Sequence, residues 1–229
     1  MQYDFVTAGR FISRPNRFVA MVELDGQPTV CHVKNTGRCG ELLLPGAAVW
    51  LARGDNPNRK TAWDLVAVRK EATGALINID SQAPNAVVGE ALRDGKIVRD
   101  VTRIRPETVF GDSRVDFYLE TADGRKVFLE VKGVTLEQNG VARFPDAPTQ
   151  RGVKHLKELE KAVEQGFEAV ILFVVQMKGV HHVEPNTATH PAFAEALHHA
   201  VTSGVRALAY DCIVTPDTLA LDQPVPVIV

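Results

Sequence analysis

Residues 114–132 constrain the fold of this chain more than any other segment, because they predict a β-hairpin of fixed register. Two apolar-rich stretches, RVDFYLET and RKVFLEVK, are separated by the turn residues Ala-Asp-Gly at 122–124. A three-residue loop that ends in glycine is typical of hairpins built on a type I turn followed by a left-handed residue. The register that follows from this loop places Asp116 opposite Glu130.

Side chains alternate across a strand, so the predicted hairpin has one apolar face and one charged face. The apolar face is expected to be core and consists of Val115, Phe117, Leu119, Val127, Leu129 and Val131. The charged face carries Asp116, Glu130 and Lys132. Opposed residues have Cβ atoms roughly 4.5–5.5 Å apart, so two carboxylates there repel each other unless a cation lies between them. A hard divalent cation, Mg²⁺ or Mn²⁺, is the natural partner. An ordinary solvent-exposed strand face is the alternative interpretation.

The pattern of secondary structure changes near residues 80–84. Residues 1–82 predict five short strands with one small helical insert at 35–46, which is typical of an OB-like β-barrel. Residues 83–229 predict the order α-β-β-β-α-β-α-β, which indicates an α/β domain with a mixed central sheet. We therefore expect a two-domain protein with its boundary between residues 82 and 83.

Composition and charge favour a soluble cytoplasmic protein. The net charge of -2 gives no support to a general polyelectrolyte. Three widely spaced cysteines without a CxxC motif fit a reducing compartment. The N-terminus has no apolar run typical of a signal peptide, and the longest apolar run, at 169–175, is too short to span a bilayer. No membrane partner is expected.

Two groups of residues are candidate nucleic-acid contacts. The first consists of Arg14, Arg17, Lys34 and Arg38 in the predicted barrel, and the second consists of Gln150, Arg151, Lys154 and His155 at the start of a predicted helix. OB folds bind single strands through basic grooves and aromatic stacking, for which Phe11 and Phe18 are candidates, although most phenylalanines in a small barrel are core. Arg151 and His155 lie four residues apart and share a helix face, and helix N-termini favour anions. A solvated helix face is the alternative.

Asp116, followed by Glu130-Val131-Lys132 on the next antiparallel strand, resembles the PD-(D/E)xK nuclease signature, with a valine in place of its proline. The resemblance implies that Asp116, Glu130 and the carbonyl group of Val131 hold a metal. It implies that Lys132 orients the attacking water or stabilises the transition state. Glu90 matches the additional acidic residue that many such nucleases carry in the helix before the hairpin, and a solvated helix residue explains it equally well.

The whole sequence resembles the sugar fermentation stimulation protein A (SfsA) family. The segments that carry the resemblance are RFISRPNRFVAMVELDG, CHVKNTGRCGELLLPGAAVWL, NAVVGEAL, SRVDFYLE, VFLEVKGVTL, ARFPDAPTQRGVKHLKEL and AVILFVVQM. The resemblance implies an OB-like domain at 1–82 and a restriction-endonuclease-like domain at 83–229. It also implies DNA binding and a link to the regulation of sugar utilisation.

Three functions are compatible with these observations. The leading one is a DNA-binding protein with a metal-dependent nuclease site. The second is a DNA-binding regulator that uses the nuclease fold as a platform without catalysis, and the third is a metabolic or carbohydrate-binding protein. The trio Asp116, Glu130 and Lys132 argues against the second, because a platform need not retain two repelling carboxylates. RNA as a ligand and a homodimeric state are left open.

Overall fold

The computed structural model describes residues 1–35, 37–54 and 59–229. The described residues of the first region form six strands: β1 (Val6–Asn16), β2 (Val19–Leu24), β3 (Gln27–Val33), β4 (Ala48–Arg53), β5 (Trp63–Arg69) and β6 (Leu76–Asn78). Strands β1 to β5 form a closed barrel, since β3 pairs with β2 on one side and with β5 on the other. The predicted five-stranded barrel is therefore confirmed, and β6 extends it beside β5.

The short helix predicted at 35–46 is wrong, because the described residues of this segment form turns instead. Leu42 and Leu43 are nevertheless buried in a hydrophobic core to which both the barrel and the second region contribute residues. Pro45 and Gly46 follow directly, and Gly46 has a φ of +89°, a conformation that ends a helical run. Thr36 lies outside the described residues.

The second region is built from three helices and nine strands. In chain order these are α1 (Ala83–Arg93), β7 (Val101–Phe110), β8 (Ser113–Thr121), β9 (Lys126–Val134), β10 (Leu136–Gln138), β11 (Val141–Phe144), α2 (Gln150–Glu164), β12 (Glu168–Val175), β13 (His182–Pro185), α3 (Pro191–Thr202), β14 (Arg206–Val214) and β15 (Leu219–Pro224). The central sheet has the order β15-β14-β12-β9-β8-β7. It is mixed, because β12 runs parallel to β9 and β14 while the other neighbours are antiparallel. The mixed α/β sheet is therefore confirmed.

Four strands of the second region were not predicted. Strands β10, β11 and β13 form a small separate sheet, and β15 adds an edge to the central sheet. The first three contain only three or four residues each, which is too short to show an alternating pattern. None of the helices described is long and apolar enough to cross a membrane.

The predicted register of the hairpin is confirmed over the residues in which β8 and β9 are paired. Tyr118 pairs with Phe128, and the ladder between β8 and β9 ends at the pair Phe117–Leu129. Beyond that pair the alternation of faces is interrupted, so that Val115 packs with Tyr118 and Phe128 and not with Phe117 as predicted. The chain leaves regular pairing one residue before Asp116 and Glu130 would face each other.

Both faces of the central sheet are covered. Helix α1 packs Val87 and Leu92 against one face, and helix α2 packs Leu156 and Leu159 against the other. Each buried leucine stabilises the fold by about 1.5–3 kcal/mol relative to an exposed one. The charged residues of the hairpin therefore lie on a covered face, which removes the solvent-exposed alternative for Glu130.

Candidate active site

Asp116 is held in a defined orientation by two donors. Its Oδ2 accepts a hydrogen bond from the backbone N–H of Val131 at 2.7 Å, and its Oδ1 accepts one from Nδ2 of Asn85 in α1 at 2.9 Å. Burial raises the pKa of Asp116, and the charge of Glu130 raises it further. The N–H groups and the Lys132 charge offset this increase only in part. The carboxylate is thus fixed in place yet disfavoured as an anion, a condition that a nearby cation would relieve.

Glu130 is almost completely buried, with 2% of its surface exposed, and its two oxygens have different environments. Oε1 accepts a hydrogen bond from Nζ of Lys132 at 2.5 Å and is also in contact with Nδ1 of His155. Oε2 is buried and has no hydrogen-bond partner in the part of the chain that the structure describes. Burial alone would raise the pKa of Glu130, but His155 and Lys132 outweigh burial and lower it. Glu130 is therefore a stable carboxylate with one unsatisfied oxygen.

The first two turns of α2 place Arg151 and His155 next to Glu130. Thr149 caps the helix, since its side-chain oxygen accepts the N–H of Gly152 at 3.0 Å. Arg151 is exposed and donates from Nε to Nε2 of His155 at 3.2 Å. His155 itself is only 7% exposed. The ring of His155, which was predicted as a nucleic-acid contact, lies between Arg151 and Glu130.

The donor set fits a hard divalent cation. A buried carboxylate oxygen without a partner is costly, and a cation would satisfy Oε2 of Glu130 while relieving its repulsion with Asp116. Within the described ranges no three His, Cys, Asp or Glu side chains converge as a metal-binding group. Two carboxylates would leave several positions to a backbone carbonyl group and water, which suits Mg²⁺ because it usually keeps several waters.

Glu90 does not join this cluster. Its Oε2 accepts a hydrogen bond from the N-terminal amine of Met1 at 2.7 Å, and its side chain is half exposed. The α1 residue that reaches Asp116 is Asn85, and residues five apart on a helix point about 140° away from each other. Sequence reasoning missed Asn85 because an asparagine in a first helical turn is common and carries no charge.

Arg14 has a structural role in the barrel. Its guanidinium donates to the carbonyl oxygens of Arg17, Asn35, Gly37 and Arg38 at 2.6–2.8 Å. These bonds tie the β1–β2 turn to the segment after β3. The guanidinium that was predicted to contact phosphate is thus engaged by four backbone carbonyl oxygens.

Lys34 is also engaged within the protein. Its Nζ lies 3.3 Å from Asp64 and 3.1 Å from Asp80, two buried carboxylates at the junction of the barrel and α1. Burial opposes ionisation of Asp64, yet Arg59, Lys34 and His32 lower its pKa. This ionic cluster leaves Lys34 little freedom to contact a phosphate.

The exposed candidates of the barrel are Arg17, Arg38 and Phe18. The guanidinium of Arg17 lies 4.7 Å from the centre of the Phe18 ring, and Phe18 is 45% exposed. Phe11 is 3% exposed and belongs to the core. Arg38 is exposed, with no ion pair in the described segments. Of the two aromatic residues considered for stacking, only Phe18 is accessible.

A cleft lies between the two regions and extends from Arg17 to the end of β9. It has a volume of about 410 Å³, and Arg17 and Ser81 line it from the first region. Gly133 and Thr149 line it from the second, next to Lys132 and to Gln150, which is exposed at the start of α2. Of the candidate contacts, Arg17 lines this cleft directly, and Gln150 follows the lining residue Thr149 in the chain.

Comparison with known proteins agrees with this architecture. Residues 12–79 match the family model described as "SfsA N-terminal OB domain", and residues 82–218 match "Sugar fermentation stimulation protein RE domain". The predicted combination of an OB domain with a nuclease-like second domain is thereby confirmed at the level of fold.

Relatives match over the full length of the chain. The sugar fermentation stimulation protein homolog of Clostridium beijerinckii is 51% identical over 228 residues and is covered completely, as is this chain. The homolog of Desulfitobacterium hafniense strain Y51 is 54% identical over 219 residues, which is 96% of this chain and 94% of the homolog. The solved structure of Pyrococcus furiosus SfsA in complex with Ca²⁺ superposes with a TM-score of 0.90 at 25% identity, covering 100% of this chain and 98% of that one. The chain belongs to the sugar fermentation stimulation protein (SfsA) family.

Proposed function

We propose that this protein binds DNA and cleaves it with a divalent metal, Mg²⁺ or Mn²⁺, held by Asp116 and Glu130. The observation that carries the proposal is the buried, unpartnered Oε2 of Glu130 close to a carboxylate whose pKa is raised. Such an arrangement is costly without a cation. The Ca²⁺ complex of the Pyrococcus furiosus relative supports a divalent-cation site in this family.

In the proposed site each side chain has a separate task. A bound divalent metal supplies Lewis acidity at the phosphate and a water of lowered pKa. Asp116 and Glu130 bind the cation, and the carbonyl oxygen of Val131 is a further proposed ligand. Lys132, whose side chain is 13% exposed, neutralises Glu130 and can stabilise negative charge on the reacting phosphate.

Exposed side chains of both regions supply the proposed DNA contacts. Arg17, Arg38 and Arg151 would bind phosphates, with Gln150 beside them at the start of α2. Phe18 would stack on an unpaired base, a contact worth about 1–3 kcal/mol. We place the protein in the cytoplasm, where free buried thiols such as its three cysteines are stable. The link to sugar utilisation rests on the names of the relatives.

A cleavage assay tests the proposal. Labelled single- and double-stranded DNA and RNA are incubated with Mg²⁺, Mn²⁺ or EDTA. Asp116→Ala is expected to lower cleavage by at least about 100-fold, as expected for the loss of one metal-held transition-state contact. Asp94→Ala, which removes an exposed aspartate at the end of α1, is the matched control and should cleave normally. Unchanged cleavage by Asp116→Ala would defeat the site assignment.

The non-catalytic regulator is the second candidate, and one observation favours it. Lys132 and His155 already donate to Oε1 of Glu130, so this oxygen is satisfied without a metal. On this hypothesis DNA binds equally well in EDTA and stays intact in Mg²⁺. If no nucleic acid binds even at low salt, where phosphate contacts are strongest, both candidates fail.

A further inference from the structure

The two side-chain oxygens of Glu130 differ in their hydrogen bonds, and helix α2 accounts for the difference. Both donors that reach this carboxylate, Lys132 and His155, meet the same oxygen, Oε1. The other oxygen, Oε2, is buried and has no hydrogen-bond partner among the described residues. A freely rotating carboxylate would share the two donors between its oxygens, so something fixes its rotation.

The partner of the second ring nitrogen decides where the proton of His155 lies. Arginine has only donors, so the Nε–H of Arg151 requires an acceptor at Nε2 of His155. In the neutral ring Nε2 then carries no hydrogen, and the proton is on Nδ1. That proton points at Oε1 of Glu130. A proton on Nε2 would oppose Arg151 with a second donor and leave Glu130 without the bond.

We propose that Arg151 and His155 are positioning residues. They form a hydrogen-bonded chain that fixes His155 as its Nδ1–H tautomer and turns Glu130 so that Oε2 is the atom presented to the metal. This inference rests on the proposed metal site. It assigns His155 to the support of a ligand, whereas the sequence suggested a direct contact with phosphate.

The helix geometry makes this arrangement rigid. Arg151 and His155 are four residues apart, so their side chains are neighbours on one face of α2. The Thr149 cap fixes where the helix begins, and Leu156 and Leu159 are buried beneath it. His155 has no freedom to leave Glu130 without moving the helix. Partners that orient a metal ligand in this way typically contribute about 10–100-fold to metal affinity.

The first test reads the tautomer directly and needs neither metal nor activity. A long-range ¹H–¹⁵N correlation spectrum of the metal-free protein at neutral pH should show the His155 proton on Nδ1 and an unprotonated Nε2. Arg151→Met should weaken this preference and allow the Nε2–H form to appear. The signals of His198, which is exposed on α3, serve as the internal reference. A wild-type His155 that is protonated on Nε2, alone or together with Nδ1, overturns the inference.

The second test measures Mn²⁺ binding to the full chain by titration. His155→Leu should lower Mn²⁺ affinity about 10–100-fold, the range for a lost ligand partner. His155→Asn should keep most of the affinity, because its side-chain N–H replaces the Nδ1–H. His198→Leu is the matched control and should bind like the wild type.

The outcomes separate this inference from the proposed function. If Asp116→Ala and Glu130→Ala bind Mn²⁺ as well as the wild type, the metal site itself is wrong. If those two variants lose binding while His155→Leu keeps it, the metal site stands and the positioning role fails. Equal losses in His155→Leu and His155→Asn also contradict the role. If His155→Leu does not fold, the asparagine variant and the tautomer spectrum decide.

Discussion

At the scale of single residues, the two carboxylates differ in environment, because burial and the charge of Glu130 raise the pKa of Asp116 whereas His155 and Lys132 lower the pKa of Glu130. Strand alternation and one turn predicted Asp116, Glu130 and Lys132 on one face of the hairpin, because these relations are local. The place of His155 depends on how α2 docks on the sheet, 25 residues further along the chain. No periodicity encodes that contact, so the sequence suggested His155 as a phosphate contact and did not predict its contact with Glu130.

Lys132 offers a prediction that separates metal binding from catalysis. Lys132→Met removes a positive charge next to Glu130, so it should raise Mn²⁺ affinity by about tenfold, equal to ~1.4 kcal/mol. Cleavage should nevertheless fall, because charge on the phosphate loses its partner. Titration with Mn²⁺ and single-turnover cleavage measure the two effects. Lys126→Met is the control, since Lys126 is an exposed lysine at the start of the same strand, β9. Weaker Mn²⁺ binding in Lys132→Met would argue that Lys132 supports the metal and does not compete with it.

At the scale of elements, long and strongly patterned segments were predicted and short ones were not. The pattern of α2 shows buried residues at helical spacing over fifteen positions, and β12 is buried along almost its entire length. Strands β10, β11 and β13 depend on pairing with each other, since none is long enough to display its own pattern. The segment 37–46 forms turns in place of the predicted short helix, and it ends at Pro45 and at Gly46, whose φ of +89° is not helical.

The cap of α2 is the element-scale feature open to measurement. Thr149→Ala removes the acceptor of the Gly152 N–H and should lower the free energy of unfolding by about 1 kcal/mol. Thr149→Ser keeps an acceptor oxygen and should recover most of this loss. Urea unfolding measures both. Thr202→Ala at the exposed end of α3 is the control, with a change of about 0.5 kcal/mol or less. Equal stability of Thr149→Ala and the wild type would show that the cap contributes nothing.

At the scale of the whole molecule, polar residues connect the two regions. The side chain of the buried Gln176 donates to Oδ1 of Asn78, 98 residues away, and to the carbonyl oxygen of Asp80. The sequence predicted both folds and a boundary between 82 and 83, which stays a prediction. It could not predict these contacts, because each partner is an ordinary polar residue in its own segment.

The ion pair between Lys70 of the first region and Glu137 of the second makes the stability of the protein depend on pH. Burial opposes ionisation of Glu137, but Lys70 and the Gly140 N–H lower its pKa below that of an ordinary glutamate, about 4.3. A folded-state pKa below the unfolded one means that the pair stabilises the protein above about pH 4–5 and loses this effect as pH falls further. Lys70→Met should therefore cost about 3 kcal/mol at pH 7, because Glu137 stays buried without its cation. The difference in the free energy of unfolding between Lys70→Met and the wild type should shrink below about pH 4. Urea unfolding at pH 7 and in that acid range measures it. Lys96→Met, which breaks an exposed ion pair with Asp94, is the control. A loss of stability in Lys70→Met that does not change with pH would contradict the role of the Lys70–Glu137 pair.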